Sequence, residues 1–343
     1  MYTHKSAKMM ELTVCAVAMM FMAGSVAAQS ETKPTKSEKA AMAATPQAAK
    51  AEKATTQKAA KDEKQKAGKD NKTTTSGPKV RSEMLVSTDW VAQHWNDPNV
   101  IIVHVGGERA DYEAGHIGGA RHLPTSAFVA NVPPGSELPA VEELKKTFDA
   151  LGIDDSKRVI LYANDWFPTG ARAYFTLDYL GHGDRVALMD GGLEKWLMEK
   201  KPLSTETPTF AKTDFQVRLN KEILATREQV KSLIGKATMI DARPQARYHL
   251  GHIPGASPMF WEKNLVSDLN PVLSVPNDLR KKLVAAGLTT NKQTVAYCET
   301  GWQSSFAYFV AKYMGYNVIN YDGSFSDWRT AKEPIEKGAA STK

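Results

Sequence analysis

Cysteine is scarce in this chain, with two residues, Cys15 and Cys298, among 343. Two thiols cannot build a disulfide framework or a thiolate metal cage, and none of the eight histidines cluster at zinc-ligand spacing. No structural metal is therefore expected. Basic charge is also missing where a nucleic-acid face would need it. The formal net charge is +6, but residues 30–79 carry twelve Lys against six acidic residues, and residues 1–29 add one more positive charge. Residues 80–343 are left at −1, which argues against a basic stripe on the folded part and against nucleic acid as a partner. Long apolar runs are missing too. The one near the start, residues 12–23, falls short of the roughly 20 residues a span needs, so no stable membrane span is expected.

That short run has the setting of a targeting segment. Lys5 and Lys8 precede it, and the small residues Val26, Ala27 and Ala28 follow it. A charged start, an apolar stretch and a small-residue cleavage site predict a secretory signal over residues 1–28, export across the inner membrane and a periplasmic mature chain. An uncleaved anchor is the alternative. A lipoprotein cysteine is disfavoured, because Cys15 stands at the front of the run rather than after it. Residues 29–82 follow as a spacer of Lys, Ala, Thr, Gln and Glu. Between residues 30 and 78 there is no aromatic residue, so such a segment buries too little apolar surface to offset its ordering entropy.

The rest of the chain repeats itself. IIVHVGGERADYEAGHIGGA (residues 101–120) parallels ATMIDARPQARYHLGHIPGA (237–256), VILYANDWFPTG (159–170) parallels TVAYCETGWQSS (294–305), and MDGGLEKW (189–196) parallels YDGSFSDW (321–328). Three matches in one order at offsets of 136, 135 and 132 residues mean two copies of one domain. We place the copies at residues 83–201 and 222–336, a proline-containing linker at 202–221 and a tail at 337–343. Each copy alternates short β-rich runs with helical patterns. In the second, Thr226 caps a helix reaching Ile234, residues 238–240, 294–297 and 317–321 are strands, residues 304–314 an apolar helix, and Ser324 caps a last turn ending near Arg329. The class is α/β, with a mostly parallel sheet and helices on both faces in each copy.

Cys298 stands where the strand 294–297 ends and a helix begins within about six residues. Ligands of parallel α/β sheets bind at that edge. Glu299, Thr300, Gly301, Trp302 and Gln303 can curl around the sulfur, and their N–H groups with the helix dipole favour an anion there, hence a nucleophilic thiolate. Without such context a lone cysteine reads as a small buried hydrophobe.

The run Cys298-Glu-Thr-Gly-Trp-Gln, with Asp241, Arg243 and Arg247 upstream, Gly251-His-Ile-Pro-Gly-Ala, and Tyr321-Asp-Gly-Ser-Phe-Ser-Asp-Trp, resembles the second, active domain of the tandem-domain rhodaneses. These are thiosulfate and 3-mercaptopyruvate sulfurtransferases, and the resemblance spans about residues 85–334. It implies sulfur transfer through a Cys298 persulfide, from a small anionic donor to cyanide or a thiol acceptor. It implies that Glu299 to Gln303 cradle the persulfide and that Asp241 and Arg247 flank the loop, the arginine meeting the donor. Arg243 is a second donor-binding candidate, although two arginines one turn after a strand are more often solvated. His252 recurs as His116 in the copy without cysteine, and Asp322 and Trp328 recur as Asp190 and Trp196, so these read as fold residues.

The first copy departs from the active pattern: Ala163 stands in place of Cys298, Val105 in place of Asp241, and Asn164-Asp-Trp-Phe-Pro replaces the curl. It is expected to be inactive and to pack against the active loop. The loop departs as well, because Glu299 beside the sulfur would repel a dianion if it pointed inward. Two other readings stay open. A cysteine phosphatase would need arginine six residues after the nucleophile, where this chain has Ser304. A persulfide carrier that delivers sulfur to a partner protein would use the same loop.

Overall fold

The computed structural model describes residues 77–130, 135, 137–163, 167–267 and 270–338. The expected signal, most of the spacer, the first three residues of the Asn164 run and most of the tail lie outside them. In the first copy β1 (Leu85–Val86), α1 (Thr88–His94), β2 (Val100–Val105), α2 (Arg109–Ala114), β3 (Arg121–Leu123), α3 (Val141–Ala150), β4 (Arg158–Ala163), α4 (Phe167–Tyr179), β5 (Val186–Met189) and α5 (Gly192–Met198) follow one another. The second copy repeats the order with β6 (Leu224–Ala225), α6 (Arg227–Leu233), β7 (Thr238–Asp241), α7 (Gln245–Leu250) and β8 (Ala256–Pro258). A small hairpin, β9 (Leu265–Ser267) and β10 (Asn270–Leu273), is inserted next. Then come α8 (Pro276–Ala285), β11 (Thr294–Tyr297), α9 (Trp302–Tyr313), β12 (Val318–Tyr321) and α10 (Ser324–Thr330).

Both five-stranded sheets are parallel throughout, in the orders β1-β5-β4-β2-β3 and β6-β12-β11-β7-β8. The central strands are apolar runs buried on both faces, as helices on each side require. Local signals set the helix starts. Thr226 and Gln229 close a capping box at α6, and Glu108 with Asp111 does the same at α2.

The recurring residues hold corresponding turns in place. His116 stacks on Tyr112 at 3.9 Å between ring centroids and His252 on Tyr248 at 3.8 Å, while the two tyrosine hydroxyls donate to Ala120 O and Ala256 O. Trp196 Nε1–H donates to Pro202 O and Trp328 Nε1–H to Pro334 O. Residues 202–220 run without helix and with only an isolated bridge at Ser204, bound along the first domain through Phe215, which is fully buried.

The two domains meet through α4 and α9. Aromatic edges interlock there, Phe167 on Phe306 at 5.1 Å, Tyr174 on Phe309 at 5.0 Å and Phe175 on Tyr308 at 5.1 Å. Two reciprocal hydrogen bonds reinforce the contact: Leu138 N–H donates to Asp322 Oδ2 (3.0 Å), and Leu273 N–H donates to Asp190 Oδ1 (2.9 Å). The aspartates of the repeated Asp-Gly pair thus each receive a backbone donor from the other domain.

Burial pushes the Asp190 carboxyl up to about 6, against the hydrogen bond from Leu273 and the charge of Lys195. A carboxyl raised above its unfolded value stabilises the fold at pH below about 4 and stops doing so as pH rises past about 6. Asp190→Asn keeps the acceptor oxygen without the charge. It should stabilise the protein by about 2 kcal/mol at pH 7.5 and by nothing near pH 3.5. Urea melts at the two pH values check this, and equal stability at pH 7.5 would contradict it.

Candidate active site

β11 and β7 pair in register so that Tyr297 lies beside Asp241, which places Cys298 and the start of the Asp241-Ala-Arg turn at one sheet edge. The loop after Cys298 is anchored from behind by α10. Phe325 N–H donates to Cys298 O and Ser326 N–H to Glu299 O, both at 3.0 Å. With those carbonyls turned back, one loop N–H reaches the sulfur. Gly301 N–H donates to Cys298 Sγ at 3.1 Å, and the N–H groups of Glu299 and Thr300 have no acceptor among the described residues. Gly301 has φ +94° and begins α9, whose first turn is tied back to it by the hydroxyls of Ser304 and Ser305 on Gly301 O. This is why α9 starts at Trp302, two residues before the expected Ser304. A loop donor on the sulfur beside a helix N-terminus makes this edge of the sheet favourable to an anion.

The predicted residues do not gather evenly. Cys298 is 1% exposed, and Glu299, Thr300, Trp302 and Gln303 are half-buried around it. Asp241 is fully buried, and its carboxylate is gripped by Arg243: Nη2 to Oδ2 at 2.7 Å, Nε to Oδ1 at 3.0 Å, with the Arg243 N–H also on Oδ1 at 3.0 Å. Arg243 is not solvated, contrary to expectation. It is 2% exposed, lies 3.9 Å from the Phe325 ring centroid, and also binds Gly251 O and Glu299 Oε2. The buried Asp241 carboxylate needs that compensating cation. Burial opposes the guanidinium's charge, but Asp241 outweighs burial and holds Arg243 above its ordinary range. Arg247 stands apart from this network, exposed on α7 and without an ion pair to any described residue.

Glu299 is drawn to cations as well. Its carboxylate bridges Arg243 at 3.1 Å and Arg329 at 3.2 Å. Two guanidinium groups therefore offset the acid that would otherwise repel an anionic donor.

Three residues of the site were not anticipated. Ser324 is not a helix cap; its hydroxyl donates to Tyr321 O and accepts from Cys298 N–H at 3.2 Å, 4.0 Å from the sulfur. It holds φ +55°, the conformation of its counterpart Gly192 at +56°. A serine kept where the first copy has glycine was the available signal, because a side chain in that region is strained. Arg172, fully buried on α4, pairs with Asp322 and so reaches from the first domain to the back of the active loop. Its counterpart in the repeat is Ala307, so the repeat carried no signal for it. Arg329 was read only as a helix end. On the first-domain side, Ala163 closes β4 where Cys298 follows β11, and Val105 ends β2.

The sequence and fold comparisons point to one family. The model of the Rhodanese-like domain matches residues 87–199 and 226–331. The sulfur carrier protein TtuD of Thermus thermophilus is 35% identical over 283 residues, covering 75% of this chain and 97% of its own. A provisionally named thiosulfate sulfurtransferase of Mycolicibacterium smegmatis is 34% identical over 281 residues, covering 76% and 99%. The crystal structure of SseA from Escherichia coli, described among 3-mercaptopyruvate sulfotransferases, superposes with a TM-score of 0.63 at 25% identity and covers 71% of this chain and 98% of SseA. A tandem arrangement of two parallel α/β domains, one with a cradled cysteine, defines the class. The chain belongs to the rhodanese family of sulfurtransferases.

A Cβ at position 301 would lie 2.7 Å from Asp322 Oδ1 and 2.9 Å from Asp322 O. Gly301→Ala should therefore displace the N–H that faces the sulfur. Turnover with thiosulfate and cyanide should fall by about 100-fold or more, the scale for losing an oriented donor, while far-UV circular dichroism stays unchanged. Undiminished turnover would show that the Gly301 N–H contributes nothing.

Proposed function

We propose that the protein transfers sulfane sulfur through a Cys298 persulfide, with thiosulfate or 3-mercaptopyruvate as donor and cyanide or a thiol as acceptor. The observation that carries this is the Gly301 N–H at 3.1 Å from Cys298 Sγ, in a loop where the N–H groups of Glu299 and Thr300 have no acceptor among the described residues. With thiosulfate, the Cys298 thiolate attacks the outer sulfur. A new S–S bond forms, the old one breaks, and sulfite leaves with its electron pair. Cyanide then attacks the terminal sulfur of the persulfide, thiocyanate forms, and the thiolate is released. No metal or other cofactor enters either step. Nothing in this cycle calls on nucleic acid or a membrane. Among the described residues no helix is long and apolar enough to cross one.

In this reading Glu299 to Gln303 hold the persulfide, Asp241 and Arg243 brace the loop, and Arg247, whose charge is unmatched by described residues, steers the anionic donor. Residues 1–28 serve as a cleaved secretory signal, so that the reaction takes place in the periplasm. A second reading is favoured by the 35% identity to a protein named as a sulfur carrier. In it, the same persulfide is delivered to a partner protein instead of turning over on small acceptors.

Intact mass before and after thiosulfate, then 3-mercaptopyruvate, then cyanide tests both. One added sulfur on the wild type, removed by cyanide over repeated cycles and absent in Cys298→Ser, is the expected result. Loading without repeated release supports the carrier reading, and loading of the serine variant overturns the mechanism. Arg247→Ala should raise the KM for thiosulfate about 10-fold with little effect on the melting temperature. An unchanged KM would remove Arg247 from the donor site.

A further inference from the structure

The two domains differ along one corresponding edge. Each sheet ends in a short strand, β3 or β8, beside the end of the helix α3 or α8. In the first domain this strip is filled by the chain's own residues 206–215. Phe210 lies on the Arg121 guanidinium at 4.2 Å, Thr213 N–H donates to Asp149 O at 3.1 Å, the Thr213 hydroxyl donates to Ile153 O, and Phe215 N–H donates to Asp149 Oδ1 at 2.6 Å. The filling is tight, for a Cβ on Gly152 would stand 2.7 Å from Ala211 O. Extended backbone with aromatic anchors is thus a ligand this edge of the fold accommodates.

In the second domain the strip is open. Gly287, the counterpart of Gly152, would meet only Thr238 at 3.7 Å, and Ser257 replaces Arg121. What remains is a groove of about 800 Å³ along β8 and the end of α8. Its charge is one-sided. Lys263, Lys282 and Lys292 line it against one carboxylate, Glu336, whose Oε2 is occupied by Gly255 N–H. Lys282 points its ammonium at Lys263 O and Ser274 Oγ, whereas Lys263 and Lys292 form no ion pair with described residues. At one end the groove reaches Pro258 and Met259, which border Asp241: Pro258 lies beside it and Met259 N–H donates to Asp241 O at 2.8 Å.

We propose that this groove docks an extended, anionic segment of a partner protein carrying an aromatic anchor. The shape follows from residues 206–215 in the first domain, and the charge follows from the lysines. This chain's own candidates fit poorly: residues 30–76 carry eleven Lys against six acids, and residues 339–343 have neither an acid nor an aromatic ring. If sulfur transfer is the function, which this last step assumes, a segment bound here brings an acceptor thiol to the Cys298 edge.

Binding can be tested apart from turnover, using the full chain with Cys298→Ser. The probe is a fluorescein-labelled peptide of residues 205–215 carrying Lys212→Glu, read by anisotropy. Saturable binding is expected. It should weaken at least 10-fold with Phe210→Ala in the peptide, with Lys263→Glu plus Lys292→Glu in the protein, and between 50 and 500 mM salt. The lysines are on the surface, so this variant should fold; Ala285→Trp blocks the groove by bulk and serves as a second variant. No saturable binding, or equal affinity in both groove variants, overturns the proposal. A 10-fold gain on truncation after Gly338 would make the chain's own last residues the occupant, and peptide-sensitive dimerisation would make it a second copy; either result also overturns it.

Discussion

The active loop depends on an ion pair that water scarcely reaches. Arg172 and Asp322 join the two domains with side chains that are 0% and 7% exposed. Removing one partner of such a pair leaves an uncompensated buried charge, at a cost of about 3–5 kcal/mol. Asp322 is also the wall behind Gly301, where there is no room for a side chain. The sequence of contacts runs from Arg172 to Asp322, to Gly301, and from the Gly301 N–H to the sulfur of Cys298. The surroundings of the Cys298 sulfur in one domain are thereby tied to a cation in the other.

The same economy of charge governs the front of the loop. Asp241 is buried and needs Arg243, and Arg243 reaches on to Glu299, which in turn holds Arg329. Each group is partly neutralised by the next, so the Glu299 charge directly after Cys298 is compensated. It also means that Arg243 has little charge left to offer a donor. Arg247 on α7 differs from it in being exposed and outside this network.

Much of this was legible in the sequence. The 135-residue repeat located both domains, the apolar β-branched runs located the central strands, and the Cys298 motif located the loop. The interactions that fix the loop were not, because they join residues without a local pattern. Arg172 looks like any helical arginine until α4 meets α9. Ser324 looks like a helix cap, since the sequence shows its hydroxyl and not its positive φ. Arg243 looks solvated because spacing reveals the turn after β7 but not the buried carboxylate beneath it. Periodicity reports which face is apolar; it does not report which buried charges will find one another across a domain boundary.

Retention of a copy without a nucleophile follows from these contacts. The first domain supplies Arg172, the Leu138 N–H on Asp322, and Phe128 against Trp302 at the start of α9. All three act on the active loop or on the residues directly behind it. The second domain answers with Leu273 on Asp190, so the interface is close to symmetric although the chemistry is not. A duplicated domain could lose Cys298's counterpart at no structural cost, since Ala163 needs no cradle. It could not lose α4 without unpairing Asp322.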